Sequence, residues 1–543
     1  MFNHLPPELA LAVMVYLPLS SIAVTQQVCS RWNDFVAENR DAIYHKAAAW
    51  HDLIPSPTTS FEELGICYSR RGLKGVNNWE DFCRRRLDIT NAWSGTKVPS
   101  TIRHHHAPAN TVHRIKVDEI AGYILTTSWD GGLRVTDLDE DVVLWSLPQT
   151  YVRQYAHCEY GEGFIIFDRY DGSKEVWRRS SDCTPEGASH VVPESKPTIL
   201  TAEYLSLRSN HSMPIGRGHF QPWAHLHPLE PTRAFRFSYP NLGVAALNSV
   251  YLWDVRTGVL FQHLEGTQSN EWYGTGNASG SGDQAHRPLG DINYIEIGPR
   301  HVVLCGTRAL RVFAWDTGRC VLDVPSSQGL YGRWRFGISA EGWFVHGAAV
   351  MRHVVKVEEP MREQGDTIDE FIAVHISTCG NHLAALLHSS RLLIMRNFER
   401  AVTDNISIYD LTVEVQLGSP RFSSRYLAYE DGRIAVATCT GIFIVRPEFL
   451  DSDLVPDAVP GQDEDENPPL VLEIMRIPSL VNRTCLSRVT CLQMTDTGLF
   501  LNWDPEVQTT SDDLSDLSLQ GEPLFSASFF YLLFLWDVSI DGH

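Results

Sequence analysis

From about residue 107 to its end, the chain repeats one local pattern: a short apolar run, a tight polar turn and another short run. "YILTTSWDGGLRVTDL" turns at Asp130-Gly131-Gly132, "NSVYLWDVRTGVLFQHLEG" around Thr257-Gly258, and "RALRVFAWDTGRCVLDV" around Thr317-Gly318. Strand pairs of the same kind stand in "GFIIFDRYDGSKEVWRR", "GWFVHGAAVMRHVVKV", "HLAALLHSSRLLIMRN", "YLAYEDGRIAVATCTGIFIVRP" and "VTCLQMTDTGLFLNWDP". Glycine in the turns supplies the positive φ that a tight reversal needs. Strand runs punctuated in this way predict an all-β repeat architecture, in which each unit buries its faces against its neighbours.

The first hundred residues follow a helical period instead. Leu9 to Leu17 are nine residues in which the Tyr16 hydroxyl is the only polar side-chain group. Pro6 and Pro7 suit a first helical turn, Glu8 suits the positive end of the helix dipole, and Pro18 stops the run. A second short helix is expected over about Leu19 to Val28. A third begins near Ser30, with Trp32, Phe35/Val36, Ile43, Ala47 and Trp50 as its apolar stripe. Three short helices enclose only a modest core, and a helix apolar on all sides needs protein on more than one of them. Either the rest of the chain covers the remainder, or it is an exposed patch that marks a partner site.

"LPPELALAVMVYLPLSSIAVTQQVCSRWNDFVAENRDAIY" resembles the F-box, through Leu5-Pro6, Glu8, Leu17-Pro18, Val28-Cys29 and Trp32. That resemblance implies docking to the adaptor Skp1, which carries a cullin–RING ubiquitin ligase. It implies Leu5, Pro6, Leu9, Val13, Leu17, Leu19, Ile22 and Val28 as adaptor contacts, with Trp32 shared between the small core and the interface. The spacing does not separate contact from core among these residues.

In "NNWEDFCRRRLDITNAWSGTK", Asn78 and Asp81 form an N-terminal cap signal, and Trp79, Phe82/Cys83, Arg86/Leu87, Thr90 and Trp93 form a stripe. Arg84, Arg85 and Arg86 are expected on the solvated side of this helix. The stretch resembles the connector of F-box proteins that carry WD-repeat propellers. Trp253-Asp254, Trp315-Asp316, Trp503-Asp504 and Trp536-Asp537 resemble the dipeptide of WD repeats, and Asp130-Gly131 resembles the turn between their middle strands. The first unit has Thr136-Asp137 where that dipeptide is expected.

The resulting expectation is multidomain, α plus all-β: a three-helix F-box over 1–50, a helical connector over 51–100, and a WD40-like β-propeller over 101–543. Seven blades are preferred within a range of six to eight. Flexible insertions are expected near 266–290, 451–469 and 505–523, which are Gly/Ser-rich or acidic. The final stretch "LFSASFFYLLFLWDVSIDGH" reads as a closing strand.

The formal net charge is −21, which argues against a nucleic-acid partner, because a phosphate-tracking surface needs concentrated Lys and Arg. The apolar runs are too short to span a bilayer, so no membrane partner is expected. Eleven scattered cysteines without a C-x-x-C pair read as reduced thiols in the cytoplasm or nucleus. Three consecutive histidines, His104 to His106, cannot all face one ion on a regular element, so no metal is expected there. No nucleophile elbow, phosphate loop or metalloprotease motif is present, and neither a catalytic residue nor a cofactor is expected.

The function implied is that of a non-catalytic substrate-recognition subunit of a Skp1–cullin–F-box ubiquitin ligase, whose propeller binds a target protein. Related receptors read phosphorylated peptides through arginines on the propeller face, and Arg217, Arg308 and Arg333 stand near strand ends. The alternative is a WD-repeat interaction scaffold not engaged with a ligase.

Overall fold

The computed structural model describes residues 6–95, 101–106, 112–183, 216–269, 288–338, 345–346, 349–350, 354–357, 368–418, 423–449, 470–477, 480–503 and 529–534. The chain opens on four helices: α1 (Pro7–Val15), α2 (Leu19–Thr25), α3 (Ser30–Glu38) and α4 (Arg40–Trp50). The expected third helix is therefore two. Asn39 leaves the helical region at φ −113°, and its Nδ2 donates to the Phe35 carbonyl at 2.9 Å, closing α3. Met14, Leu19, Ile22, Val36, Ile43 and Ala47 form the small core.

Two further helices follow, α5 (Leu64–Cys67) and α6 (Trp79–Trp93), and α6 belongs to two cores at once. Its first half places Trp79, Phe82 and Cys83 among the N-terminal helices. Its second half places Ile89, Ala92 and Trp93 against Ala435, Leu499 and Trp503 of the β-region. One rigid element thus joins both modules where a flexible tether would not fix their orientation.

The cap read from the sequence is present: Asn78 Oδ1 accepts the Asp81 N–H at 2.9 Å. Asn78→Ala should cost about 1 kcal/mol of stability. A thermal melt checks this, with Asn78→Asp, which keeps the acceptor, melting close to the wild type.

The arginine run corrects the sequence reading. Consecutive helical residues point about 100° apart, so three in a row cannot share the solvated face. Arg84 is exposed and pairs with Asp81. Arg85 is buried and donates to the Arg71 carbonyl at 2.7 Å. Arg86 forks onto Asp496, 410 residues away, at 2.5 and 2.8 Å. Trp93 Nε1 donates to the Asp496 carbonyl at 2.9 Å, and the Arg433 guanidinium lies 4.4 Å from its ring centre.

The remaining strands form a propeller. Blade 1 spans 112–147, blade 2 158–226, blade 3 232–265, blade 4 292–325, blade 5 371–416 and blade 6 424–476, each a meander of four consecutive antiparallel strands. The seventh sheet draws on both ends of the β-region: Leu492–Met494, Gly498–Trp503 and Phe529–Phe534 are completed by Thr101–His106, which pairs antiparallel with Phe529–Phe534. The innermost strands touch in sequence around a closed ring, the last against the first. Closure removes the two edges that an open array would expose. His104 to His106 lie in the closing strand.

Leu133–Asp137 alternates between buried and half-buried positions. Second strands such as Phe164–Asp168 and Leu383–Leu387 are buried at every position, because a blade covers each face. Gly131, in the first unit's turn, has φ +92°, and a Cβ there would stand 2.6 Å from the Val152 carbonyl oxygen.

"GWFVHGAAVMRHVVKV" contains a strand pair, Val345–His346 with Ala349–Val350, as a separate two-stranded sheet, and its Val354–Lys356 pairs with Trp334–Ile338, which extends the outer edge of blade 5. One sequence reading needs correction here. Trp503 ends the second strand of its sheet, whereas Trp253 and Thr136 stand at the ends of third strands, so Trp503-Asp504 is not a repeat signature. Asp504, Trp536 and Asp537 lie outside the described residues, as do most of the three expected insertions. The base of the first insertion is described: Gln268 exchanges side-chain hydrogen bonds with the Gly290 backbone at 2.9 and 3.1 Å.

Candidate functional site

Two surfaces stand out, one by exposed apolar side chains and one by clustered arginines. The first lies on the N-terminal helices. α1 packs on α4 through Ala10 and Met14, which are buried, and turns the opposite stripe outward. Leu9 is 53% exposed, Val13 44% and Tyr16 60%, at helical spacing along one side. Tyr16 meets the exposed Trp50 edge to face at 4.5 Å. Val24 and Val28 are also exposed.

Among the residues singled out by resemblance, Pro6, Leu9, Val13 and Val28 are exposed, and Leu17 and Trp32 are half-buried. Leu19 and Ile22 are enclosed by the domain's own core, and Leu5 lies outside the described residues. Tyr16 and Trp50 were missed as surface residues. Tyr16 was legible, seven positions beyond Leu9 on the same stripe; Trp50 was not, since its spacing put it on the inner side.

The second surface is a cup of about 360 Å³ at one mouth of the propeller channel. Its wall comes from the beginnings of innermost strands in successive blades and brings together Arg114, Arg153, Arg233 and Arg425. The carboxylate in the wall, Asp168, is already shared by Arg153 at 2.8 Å and Lys174 at 2.5 Å. Arg114 Nε donates to His157 Nδ1 at 3.1 Å, and its Nη1 to the Thr490 carbonyl at 2.8 Å, so no carboxylate offsets it in these bonds. Burial, reinforced by Arg114, pulls His113 down to about 3, so it is neutral at pH 7. The cup is thus cationic through guanidinium groups, whose planar forks suit phosphate and carboxylate.

Below the cup the channel narrows to a pocket of about 40 Å³. It is filled by a belt of paired charges from the innermost strands. Lys116 bonds Glu159 at 2.9 Å, Arg236 lies 3.3 Å from both Glu159 and Glu296, and Glu296 lies 2.6 Å from His375 Nδ1. Burial pushes the Glu159 carboxyl up, but Lys116 and Arg236 outweigh it and hold the group well below the usual carboxylate range. These carboxylates are engaged in ion pairs between blades.

Residues 2–47 match the F-box-like family. The N-terminal helices form an F-box-like domain. No curated protein matches the chain. Solved structures similar to it include the computationally designed Ika8 protein, at 12% identity and TM-score 0.36 over 72% of this chain and 93% of that one. Another is KlHsv2 with loop 6CD replaced by a Gly-Ser linker, at 10% identity and TM-score 0.35 over 63% of this chain and 81% of that one.

The connector that carries the F-box-like domain meets the propeller on the face opposite the cationic cup. The innermost strand of blade 1, Val112–Asp118, starts at the cup with His113 and Arg114. Just past its other end, Glu119 accepts from Ser69 of the connector at 2.9 Å and bonds Thr497 beside Asp496. The arginines singled out earlier are elsewhere: Arg217, Arg308 and Arg333 do not line the cup, and Arg217 is paired with Asp137. An F-box-like domain joined to a propeller fits a receptor role, two interaction modules on one rigid frame.

Proposed function

We propose that this chain is the substrate receptor of a Skp1–cullin–RING ubiquitin ligase. The F-box-like domain docks a Skp1-like adaptor through Pro6, Leu9, Val13, Tyr16 and Val28, and the propeller holds a target protein at the cationic cup. The observation that carries this reading is the apolar stripe of α1, which none of the described residues covers. Leu19 and Ile22 serve the interface indirectly, by fixing α2 in its core.

On this reading the chain has no catalytic residue of its own. It supplies proximity, raising the effective concentration of target lysines at a ubiquitin-charged enzyme held by the cullin arm. Such a ligase works on intracellular proteins, so the proposal places the chain in the cytoplasm or nucleus. The test is capture of purified Skp1 by the purified full chain, followed by ubiquitin transfer in a reconstituted mixture. A chain that folds but captures no Skp1 is instead an interaction scaffold.

The cup favours targets that present phosphate or clustered carboxylates. Replacing Arg233 and Arg425 together by Glu should weaken binding of a phosphorylated target peptide about tenfold. Fluorescence anisotropy of peptides selected from captured proteins measures this. Equal affinity in the two proteins would move the target site away from the cup.

A further inference from the structure

Blade 2 carries a second constellation on the same face as the cup. Its middle strands, Phe164–Asp168 and Lys174–Arg179, are joined by a turn that contains Asp171. Its outer strand, Phe220–Leu226, carries His225, with His227 just past its end. Lys174 pairs with Leu226 and Glu175 with His225 across the ladder, which brings the turn beside the two histidines. Asp171, His225 and His227 each offer a ligand atom, and these atoms lie within 4.8 Å of one another. The imidazole centres are 4.0 Å apart. Asp171 and His227 are exposed and His225 is half-buried, so an ion can enter from solvent.

Ser173 orients the group. Its Oγ lies 2.6 Å from Asp171 Oδ1 and 2.6 Å from His225 Nε2. An ionised carboxylate only accepts, so the single hydroxyl proton goes to Asp171, and His225 Nε2–H donates to Ser173. The His225 lone pair is then on Nδ1. This is the arrangement in which a hydrogen bond from one ring nitrogen sets the other for a metal. The Ser173 N–H also donates to Asp171 Oδ1, at 3.0 Å, which fixes the carboxylate. The nearby cation Arg169 is turned toward Glu175 at 2.9 Å.

We propose that Asp171, His225 and His227 form a site for a divalent transition metal of the zinc class. Two imidazoles and a carboxylate are a borderline-soft set that suits Zn²⁺ more than Ca²⁺ or Mg²⁺. Bonds of about 2.0–2.2 Å place ligand atoms roughly 3.3–3.5 Å apart in a tetrahedron, so small side-chain rotations close the observed spacing. Three protein ligands leave the fourth position open to water or to a His, Cys or carboxylate of a docked protein. Asp171 stands three residues from Asp168 in the wall of the cup, so the metal lies beside the proposed target site. The metal site does not depend on the ligase reading, and its test does not involve Skp1.

The test is titration of the full chain with Zn²⁺ against a chromophoric chelator, and with Co²⁺ followed by its visible absorption. The wild type should take up one equivalent that H225Q/H227Q does not. D171N and S173A should each weaken it about tenfold. A variant with His104, His105 and His106 replaced by Gln should retain the equivalent. Thermal melts provide a second readout, with Zn²⁺ raising the Tm of the wild type but not of H225Q/H227Q. Uptake unchanged in H225Q/H227Q, or no uptake by the wild type, would overturn the assignment.

Discussion

Leu9→Asp should abolish capture of Skp1 while leaving the protein folded. Leu9 is 53% exposed and sits in the first turn of α1, where a carboxylate favours the helix dipole. Its loss should shift stability by no more than about 0.5 kcal/mol, as for other surface substitutions. In a complex the same carboxylate would be buried against apolar surface without a partner, at several kcal/mol. Weakening of roughly 100-fold or more, about 2.7 kcal/mol, is expected. Val13→Asp should act in the same direction, with a further small loss because it stands near the negative end of the helix.

The control is Ile66→Asp. Ile66 is 75% exposed on α5, outside the stripe. It should bind Skp1 like the wild type, which separates a specific surface from general stickiness. Calorimetry of the purified pairs measures all three. Full affinity in Leu9→Asp would remove α1 from the interface and leave the ligase reading without its main support.

The second large effect is expected in the channel belt. Glu159 is buried among Lys116, His157 and Arg236. Glu159→Gln keeps the shape and removes the charge, leaving Lys116 and Arg236, both half-buried, short of a carboxylate. Breaking a fully buried ion pair from one side costs about 3–5 kcal/mol, and the partial exposure of the cations puts this loss at the lower end. The loss should appear as a lower unfolding midpoint in urea. Glu159→Leu combined with Lys116→Met should recover part of it, because Arg236 keeps its contact with Glu296 and the two apolar groups carry no unmet charge.

The same residue sets a pH dependence. The Glu159 carboxyl is held below its unfolded value, so its contribution is complete above about pH 4.3 and fades as the pH falls toward the folded value. The acid limb of the wild-type stability curve should be steeper than that of Glu159→Gln. Parallel acid limbs would mean that other carboxylates govern the acid transition.

Much of this architecture was legible in short stretches of chain. Asn78 with Asp81 announced the start of α6, Pro18 the end of α1, and the Asp130-Gly131-Gly132 turn its strand pair. Each depends on residues within one turn of each other. The apolar character of Leu9 to Leu17 announced an exposed apolar stripe, because too few residues surround it to build a full cover. The Arg84–Arg86 run was misread for a related reason: composition indicates charge, but only helical phase and the partners met, the Arg71 carbonyl for Arg85 and Asp496 for Arg86, decide which of the three leave solvent.

By itself, then, the sequence determined two modules, a stiff joint and a repeated β-unit, since caps, turns and hydrophobic period act over a few residues. Ring closure decided the rest. Only when Thr101–His106 completes the sheet of Phe529–Phe534 do innermost strands from distant parts of the chain face one channel. That closure gathers Arg114, Arg153, Arg233 and Arg425 into one cup, sets Arg86 on Asp496, and aligns the charged belt beneath. Folding the blade 2 meander brings Asp171 beside His225 and His227. These groups meet through backbone geometry that spans tens to hundreds of residues, and no local pattern encodes such a meeting.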